Sequence, residues 1–158
     1  LKLATERLSL RMFQRRNAKS ADEVPPGSVM IVLPDGATQI VSTPEALQEA
    51  GFRTHIETSG VCDTLTGHWD WICFSPKKFK DPNPAIYALV NELKVVVFHK
   101  SDIPWAESFV EKISGDAHYY LQPEWSKQVE MNELIVSFVK ENPNWQISVQ
   151  THKFLQIP

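Results

Sequence analysis

The chain has 158 residues, of which 42% are apolar and 22% are charged, and its formal net charge is −3. This composition is ordinary for a globular protein, and the length is sufficient for one domain with a sizeable core. The acidic balance argues against a nucleic-acid-binding protein, which needs a basic surface. A membrane protein is not expected either, because no apolar run approaches the roughly 20 residues of a spanning helix.

The chain contains two cysteines, Cys62 and Cys73. Their spacing matches no common metal site, so no metal ligand is predicted from them. Cys73 lies in the apolar run Trp71–Phe74, which favours a buried free thiol. A secreted disulfide scaffold is not indicated, and a cytoplasmic location is therefore expected.

Residues 1–42 differ in character from the rest and form an N-terminal segment that we leave unassigned. Leu1–Arg16 is basic and amphipathic, and its periodicity fits a helix or an interrupted strand. Asn17–Ser28 is polar and ends in a Pro-Pro-Gly turn signal. Val29–Leu33 is a predicted strand, and Pro34–Gly36 is a predicted turn.

From Thr43 to Pro158, strand and helix patterns alternate. A short helix with Pro44 at its first position is expected to end at Gly51. The predicted strands are Phe52–Glu57, Trp69–Phe74, Leu93–Phe98, Tyr119–Leu121 and Trp145–Val149. The predicted helices are Ile103–Ile113, capped by Asp102, and Ser126–Glu141. This alternation predicts an α/β domain with a parallel sheet, either a partial, open β/α barrel or a doubly wound sheet.

The Val-rich strand Leu93–Phe98 is expected to be buried on both faces. Polar segments follow the predicted strands. Ligands of parallel α/β sheets bind at the carboxyl ends of the strands. Lys77 or Lys153 would pair there with a carboxylate. Polar loops are also expected on any surface, so a purely structural role stays open. The segments are Glu57–Gly60, Ser75–Lys78, His99–Lys100, Gln122–Trp125 and Gln150–Lys153.

Several segments carry a resemblance to a known family. Gly51–Gly60, which ends in Glu-Thr-Ser-Gly, resembles a strand of radical S-adenosylmethionine enzymes of the activating type. The remaining segments narrow the resemblance to the 7-carboxy-7-deazaguanine synthase family; they are Asp70–Lys77, Glu92–Lys94, Leu121–Pro123 and Trp145–Lys153, followed by the chain end at Pro158. Over residues 43–158, the resemblance implies a partial, open parallel β/α barrel of the radical S-adenosylmethionine type.

The resemblance also implies roles for particular residues. Two segments would contact S-adenosyl-L-methionine, and they are Ser75, Pro76 and Lys77 together with Gln122, Pro123, Glu124 and Trp125. In the second segment this chain departs from the family, which often has Met-Asp where Glu-Trp stands here. The terminal carboxylate of Pro158 would hold the pterin substrate, for which hydrogen bonds from amino and ring N–H groups are suitable.

The family's reaction is a radical ring contraction of 6-carboxy-5,6,7,8-tetrahydropterin to 7-carboxy-7-deazaguanine, which feeds the queuosine pathway of tRNA modification. It uses S-adenosyl-L-methionine, a [4Fe-4S] cluster and Mg²⁺. The cluster needs three thiolates, and two cysteines cannot supply them. Residues 1–42 contain no counterpart of the cluster loop or of the Mg²⁺ ligands. No catalytic residue is therefore assigned, and the chain alone is expected to be inactive. A frameshift, a fragment or a wrong start upstream of Thr43 would explain why residues 1–42 do not resemble the family while residues 43–158 do.

Two other functions stay open. One is a non-catalytic module that binds S-adenosylmethionine or a pterin, and the other is an activator of a glycyl-radical enzyme. The ending Gln150–Lys153 speaks against the activator. The expected partner is the small-molecule pterin substrate, and neither a nucleic acid nor a membrane is expected. A homodimer is also considered, because missing N-terminal strands would leave an apolar sheet edge exposed.

Overall fold

The computed structural model describes residues 29–32, 38–41, 44–49, 51–62, 65 and 67–156. The chain divides into two compact units, one formed by residues 1–56 and 65–71 and the other by residues 57–64 and 72–158. The predictions for Leu1–Arg16, Asn17–Ser28, Pro34–Gly36 and Pro158 concern positions outside the described residues.

The first unit contains an antiparallel hairpin and a short helix. Strand β1 (Val29–Val32) pairs with β2 (Thr38–Val41), with Val29 opposite Val41. Strand β1 confirms the predicted strand, whereas β2 was not predicted. Helix α1 (Pro44–Glu49) begins at the expected proline. Its end is marked by Gly51, which has a φ of +88° and donates its N–H to the Gln48 carbonyl at 2.9 Å; such a conformation favours glycine.

A carboxylate organises the polar contacts of this unit. Oδ2 of Asp70 accepts hydrogen bonds from the backbone N–H of Thr54 at 2.7 Å, from its hydroxyl at 3.0 Å and from Nε2 of Gln48 at 2.9 Å. The backbone hydrogen bond from Thr54 and the amide of Gln48 lower the pKa of Asp70. Thr54 is fully buried, so Asp70 satisfies its otherwise unpaired donors.

A five-stranded sheet contains the remaining strands in the order β3-β4-β5-β6-β7. The pairs β4–β5, β5–β6 and β6–β7 are parallel. The predicted α/β fold with an open parallel sheet is confirmed, and the strand boundaries differ from the predicted ones by up to three residues. The strands are β3 (His55–Thr58), β4 (Trp71–Phe74), β5 (Glu92–Val97), β6 (His118–Pro123) and β7 (Trp145–Ile147).

The core lies against one face of this sheet. Burial alternates along β5, where Leu93, Val95 and Val97 are inaccessible to solvent while the intervening residues are half-buried. The prediction that this strand is buried on both faces is therefore wrong for one face. Helix α2 (Asp102–Val110) packs on β5, and α3 (Gln128–Glu141) packs on β6 and β7.

The helices complete the core and position the strand ends. Side chains from both long helices are buried, among them Ala106, Phe109, Met131 and Ile135. A final short helix, α4 (Thr151–Phe154), occupies the segment that was expected to be a loop. Within the described part of the chain, no helix combines the length and the apolar character required to cross a bilayer.

Candidate functional site

The parallel register brings the carboxyl ends of β4, β5 and β6 to one edge of the sheet. Ser75 follows β4, and its N–H donates to the Thr58 carbonyl at the end of β3 at 2.7 Å. Glu124 follows β6, and its N–H donates to the Val97 carbonyl at the end of β5 at 2.9 Å. Because one strand separates β4 from β6, the ends of these two strands lie about 10 Å apart. We call this edge the strand-end rim.

The first predicted cosubstrate segment begins in the core and turns outward. Ser75 is 2% exposed, Pro76 is buried and Lys77 is half-buried. Nζ of Lys77 donates to the hydroxyl oxygen of Ser75 at 3.0 Å. A bridge between Lys77 and Lys80 closes the turn that follows. The segment therefore presents a hydroxyl and an ammonium group together, which suits a ligand carboxylate.

A buried carboxylate fixes the loop after β4 to the loop after β5. Asp102, the first residue of α2, is 3% exposed and forms an ion pair with Lys78. Its Oδ2 also accepts the N–H groups of Phe98 at 2.7 Å and of His99 at 2.9 Å. Burial opposes its ionisation, but the hydrogen bonds from Lys78 and these N–H groups outweigh burial and lower the pKa of Asp102. The prediction that Asp102 caps the helix is wrong, because Ser101 is the N-cap residue and Asp102 is the first helical residue. Its carboxylate instead joins two loops of the rim.

The second predicted cosubstrate segment is divided between the sheet and the turn that follows it. Gln122 is 7% exposed, and its Oε1 accepts a hydrogen bond from the hydroxyl of Ser148 at 3.2 Å. Glu124 caps the short 3₁₀ turn Trp125–Lys127 by accepting the N–H of Ser126 at 2.8 Å. The hydroxyl of Ser126 lowers the pKa of Glu124 most strongly. Glu124 is therefore engaged locally, whereas Gln122 joins β6 to the chain after β7.

Trp125 connects the same segment to the C-terminal helix. Its ring lies 5.2 Å from the ring of Phe154 in α4, with an interplanar angle of 82°. Nζ of Lys153 lies 5.2 Å from the ring centroid of Trp125, a distance at which cation–π attraction is significant. The structure thus brings Gln122–Trp125 and α4 together. Pro158, the predicted pterin contact, falls outside the described residues.

The second face of the sheet carries polar side chains. The sequence analysis placed one of them, Glu57, after its strand, whereas it lies within β3. Nζ of Lys94 on β5 donates to Oε2 of Glu57 on β3 at 2.6 Å. Sγ of Cys73 on β4 donates to Oε1 of Glu92 on β5 at 3.4 Å. The alternation of apolar and polar residues in β5 was the signal that would have identified this face. A partly exposed polar face beside a polar rim is suited to a ligand with several hydrogen-bonding groups.

The thiols of the chain do not fit an iron–sulfur cluster. A cluster with one open iron needs three thiolates, and the chain supplies two cysteines. Cys73 is 1% exposed, and burial raises the pKa of its thiol, to which the nearby Glu92 carboxylate also contributes. Such a thiol is held protonated and is a poor metal ligand. No group of three or more His, Cys, Asp or Glu side chains suited to a metal ion occurs among the described residues.

Comparisons with known proteins identify relatives of the chain. No protein-family model matches it. The 7-carboxy-7-deazaguanine synthase of Flavobacterium psychrophilum is 46% identical over 114 residues, which are 72% of this chain and 54% of the relative. The 7-carboxy-7-deazaguanine synthase of Synechocystis sp. is 45% identical over 113 residues, 72% of this chain and 53% of the relative. This chain therefore spans about half the length of the curated relatives that it matches.

A solved structure supports the same relationship at the level of the fold. The crystal structure of QueE from Escherichia coli matches 67% of this chain and 48% of its own chain, with a TM-score of 0.57 and 24% sequence identity. The shared fold agrees with the parallel α/β sheet described above. Over the 72% of its length that the two relatives cover, the chain belongs to the 7-carboxy-7-deazaguanine synthase family.

Proposed function

We propose that residues 43–158 form the C-terminal part of a radical S-adenosylmethionine enzyme that converts 6-carboxy-5,6,7,8-tetrahydropterin to 7-carboxy-7-deazaguanine. In this proposal, Ser75–Lys77 and Gln122–Trp125 contact S-adenosylmethionine, and the terminal carboxylate of Pro158 contacts the pterin. The product would enter the queuosine pathway of tRNA modification. Residues 1–42 are proposed to be a separate N-terminal segment.

One observation carries the proposal. The two segments that resemble cosubstrate contacts lie far apart in the sequence, yet the parallel register of β4, β5 and β6 brings both to the strand-end rim. The ammonium group of Lys77 and the hydroxyl of Ser75 are 3.0 Å apart there. They supply the positive charge and the donor that the carboxylate of S-adenosylmethionine requires.

Calorimetry with the purified chain tests the cosubstrate site. Titration with S-adenosylmethionine is expected to give saturable heat. Lys77→Met removes the rim ammonium and should weaken binding about 10- to 150-fold, because a hydrogen bond to a charged group contributes about 1.5–3 kcal/mol. Lys140→Met makes the same change at an exposed position of α3 and should leave binding unchanged. Absence of heat with the unaltered chain would contradict the proposal.

The proposal assigns no catalysis to this chain alone. A four-iron–four-sulfur cluster would supply the electron for cleavage of S-adenosylmethionine, but the two cysteines do not fit such a cluster. We therefore propose binding functions only for the chain's own residues. Anaerobic reconstitution with iron and sulfide should give neither the cluster absorption band nor 5′-deoxyadenosine. Appearance of both would refute this part of the proposal.

A non-catalytic binding module is the second candidate, and the buried, protonated thiol of Cys73 favours it. The two candidates differ in what lies upstream of Thr43 in the gene. Translation of that DNA in three frames should contain Cys-x₃-Cys-x₂-Cys if the chain derives from an enzyme of full length. Absence of that motif from all three frames, together with binding of S-adenosylmethionine, would favour the module.

The proposal includes a cytoplasmic location and excludes nucleic acids and membranes as partners. It also includes self-association as a homodimer, through a sheet edge that missing N-terminal strands would leave exposed. Analytical ultracentrifugation should detect a dimer. A monomer at concentrations up to roughly 100 µM, where standard-sized interfaces are formed, would contradict the self-association.

A further inference from the structure

Gln150 presents a buried hydrogen-bond acceptor next to the candidate site. The residue lies between β7 and α4. Its Oε1 is buried, and among the described residues that are not exposed it is the one buried side-chain nitrogen or oxygen atom without a hydrogen-bond partner. A buried amide oxygen without a partner is unfavourable, so a hydrogen-bond donor supplied by a ligand would stabilise it.

The chain on both sides of Gln150 is attached to the second cosubstrate segment. Before it, the N–H of Ser148 donates to the Leu121 carbonyl at 2.9 Å, and the hydroxyl of Ser148 donates to Gln122 at 3.2 Å. After it, the ring of Phe154 packs against Trp125 at 5.2 Å. These contacts hold Gln150 beside the end of β6.

The surroundings indicate the kind of donor that Oε1 would accept from. The half-buried ring of Trp125 is an aromatic surface close to α4, and flat nitrogen heterocycles pack against such rings. Purine and pterin rings both carry an exocyclic amino group, which is a hydrogen-bond donor.

We propose that Gln150 is a ligand-contacting residue whose Oε1 accepts a hydrogen bond from the amino group of a purine-type or pterin-type ring. This inference rests on the proposed function and adds a contact that the family resemblance does not assign. It also explains why an amide acceptor stays buried without a partner in the protein: the ligand supplies the missing donor.

Two substitutions and a matched control test the inference. Gln150→Met keeps the length of the side chain and removes the acceptor, and it should weaken binding of one ligand about tenfold. Its melting temperature without ligand should stay the same or rise, because an unpaired buried amide has been removed. Gln150→Asn keeps the amide but withdraws it by one methylene, and it should weaken the same binding. Gln146→Met makes the same chemical change at an exposed position of β7 and should change neither quantity.

Calorimetric titrations with S-adenosylmethionine and with 6-carboxy-5,6,7,8-tetrahydropterin distinguish the two sources of the amino group. A loss confined to S-adenosylmethionine assigns the contact to adenine, and a loss confined to the pterin assigns it to the pterin ring. Unaltered binding of both ligands to Gln150→Met would overturn the inference and leave the proposed function intact. Absence of binding to the unaltered chain would overturn both. A lowered melting temperature with unaltered binding would assign Gln150 a structural role and overturn the inference.

Discussion

Lys94 on β5 and Glu57 on β3 form an ion pair with 2.6 Å between Nζ and Oε2, although β4 lies between their strands. The pair therefore crosses one strand on the polar face of the sheet. The side chain of Lys94 is 17% exposed and that of Glu57 is 45% exposed. This difference in exposure means that loss of the carboxylate leaves a largely buried ammonium group without this partner.

Glu57→Gln should lower the free energy of unfolding by up to about 1 kcal/mol, because the pair is partly exposed and its attraction is screened. Urea denaturation measures the loss, which should shrink in 1 M NaCl. Glu107→Gln, an exposed position of α2, serves as the control and should be neutral. A double-mutant cycle with Lys94→Met isolates the pair, and a coupling energy of zero would contradict its contribution.

Asp102→Ala should destabilise the protein by about 3 kcal/mol at pH 7. The substitution leaves the N–H groups of Phe98 and His99 without their acceptor and Lys78 without its ion-pair partner. Thermal or urea unfolding measures this loss. Glu111→Ala, which follows α2 and is exposed, is the control. A loss below about 1 kcal/mol, the level of an exposed ion pair, would contradict the joining role of Asp102.

The pH dependence of stability provides an independent test of Asp102. Its pKa is lowered in the folded protein below the ordinary value of 3.8 for an aspartate. A lowered pKa contributes stability that is fully present above the unfolded pKa and is lost as the pH falls through the folded pKa. The difference in unfolding free energy between the unaltered chain and Asp102→Asn should therefore be largest near neutral pH and should diminish below about pH 4. A difference that increases on acidification would contradict the assignment.

The sequence predicted the elements with strong local signals and was less accurate where tertiary hydrogen bonds set the boundaries. Helix α3 and strand β5 were predicted within two residues, because their apolar periodicities are unambiguous. The strand predicted to begin at Phe52 begins at His55, since the backbone of Thr54 bonds to Asp70 and Trp71. These hydrogen bonds join Thr54 to residues 16 and 17 positions later in the chain, and a local sequence pattern contains no information about such distant partners.

The sequence predicted which chain segments form the candidate site, but it did not predict the side-chain contacts within that site. Strand-end segments identified the rim, because parallel strands place their carboxyl ends together. The capping role of Glu124, the packing of Trp125 on Phe154 and the unpaired Oε1 of Gln150 all depend on side-chain geometry. The predicted loop at residues 150–153 forms α4 from Thr151 onward, where the N–H of Lys153 donates to the Gln150 carbonyl and the N–H of Leu155 donates to the Thr151 carbonyl, both at 2.9 Å.

Gly60→Ala should destabilise the protein more than Gly115→Ala. Both glycines have positive φ values, +72° and +84°, so each substitution strains the backbone by about 1–2 kcal/mol. At Gly60 the added Cβ would also lie 2.9 Å from Cε2 of Phe74, whereas nothing lies within 4 Å at Gly115. Because Phe74 is fully buried, overpacking should add about 1–3 kcal/mol. Equal losses of unfolding free energy would show that the ring of Phe74 moves aside.

The two thiols should react at very different rates. Cys62 is exposed, whereas Cys73 is 1% exposed and its pKa is raised by burial and by the Glu92 carboxylate. Since the thiolate is the reactive species, a disulfide reagent at pH 8 should label one thiol rapidly and the second only on unfolding in urea. Cys62→Ser removes the rapid phase and serves as the control, and Cys73→Ser should leave it unchanged. Rapid labelling of Cys73 in the folded protein would show that the polar face of the sheet opens to solvent, and it would contradict the burial of this thiol against Glu92.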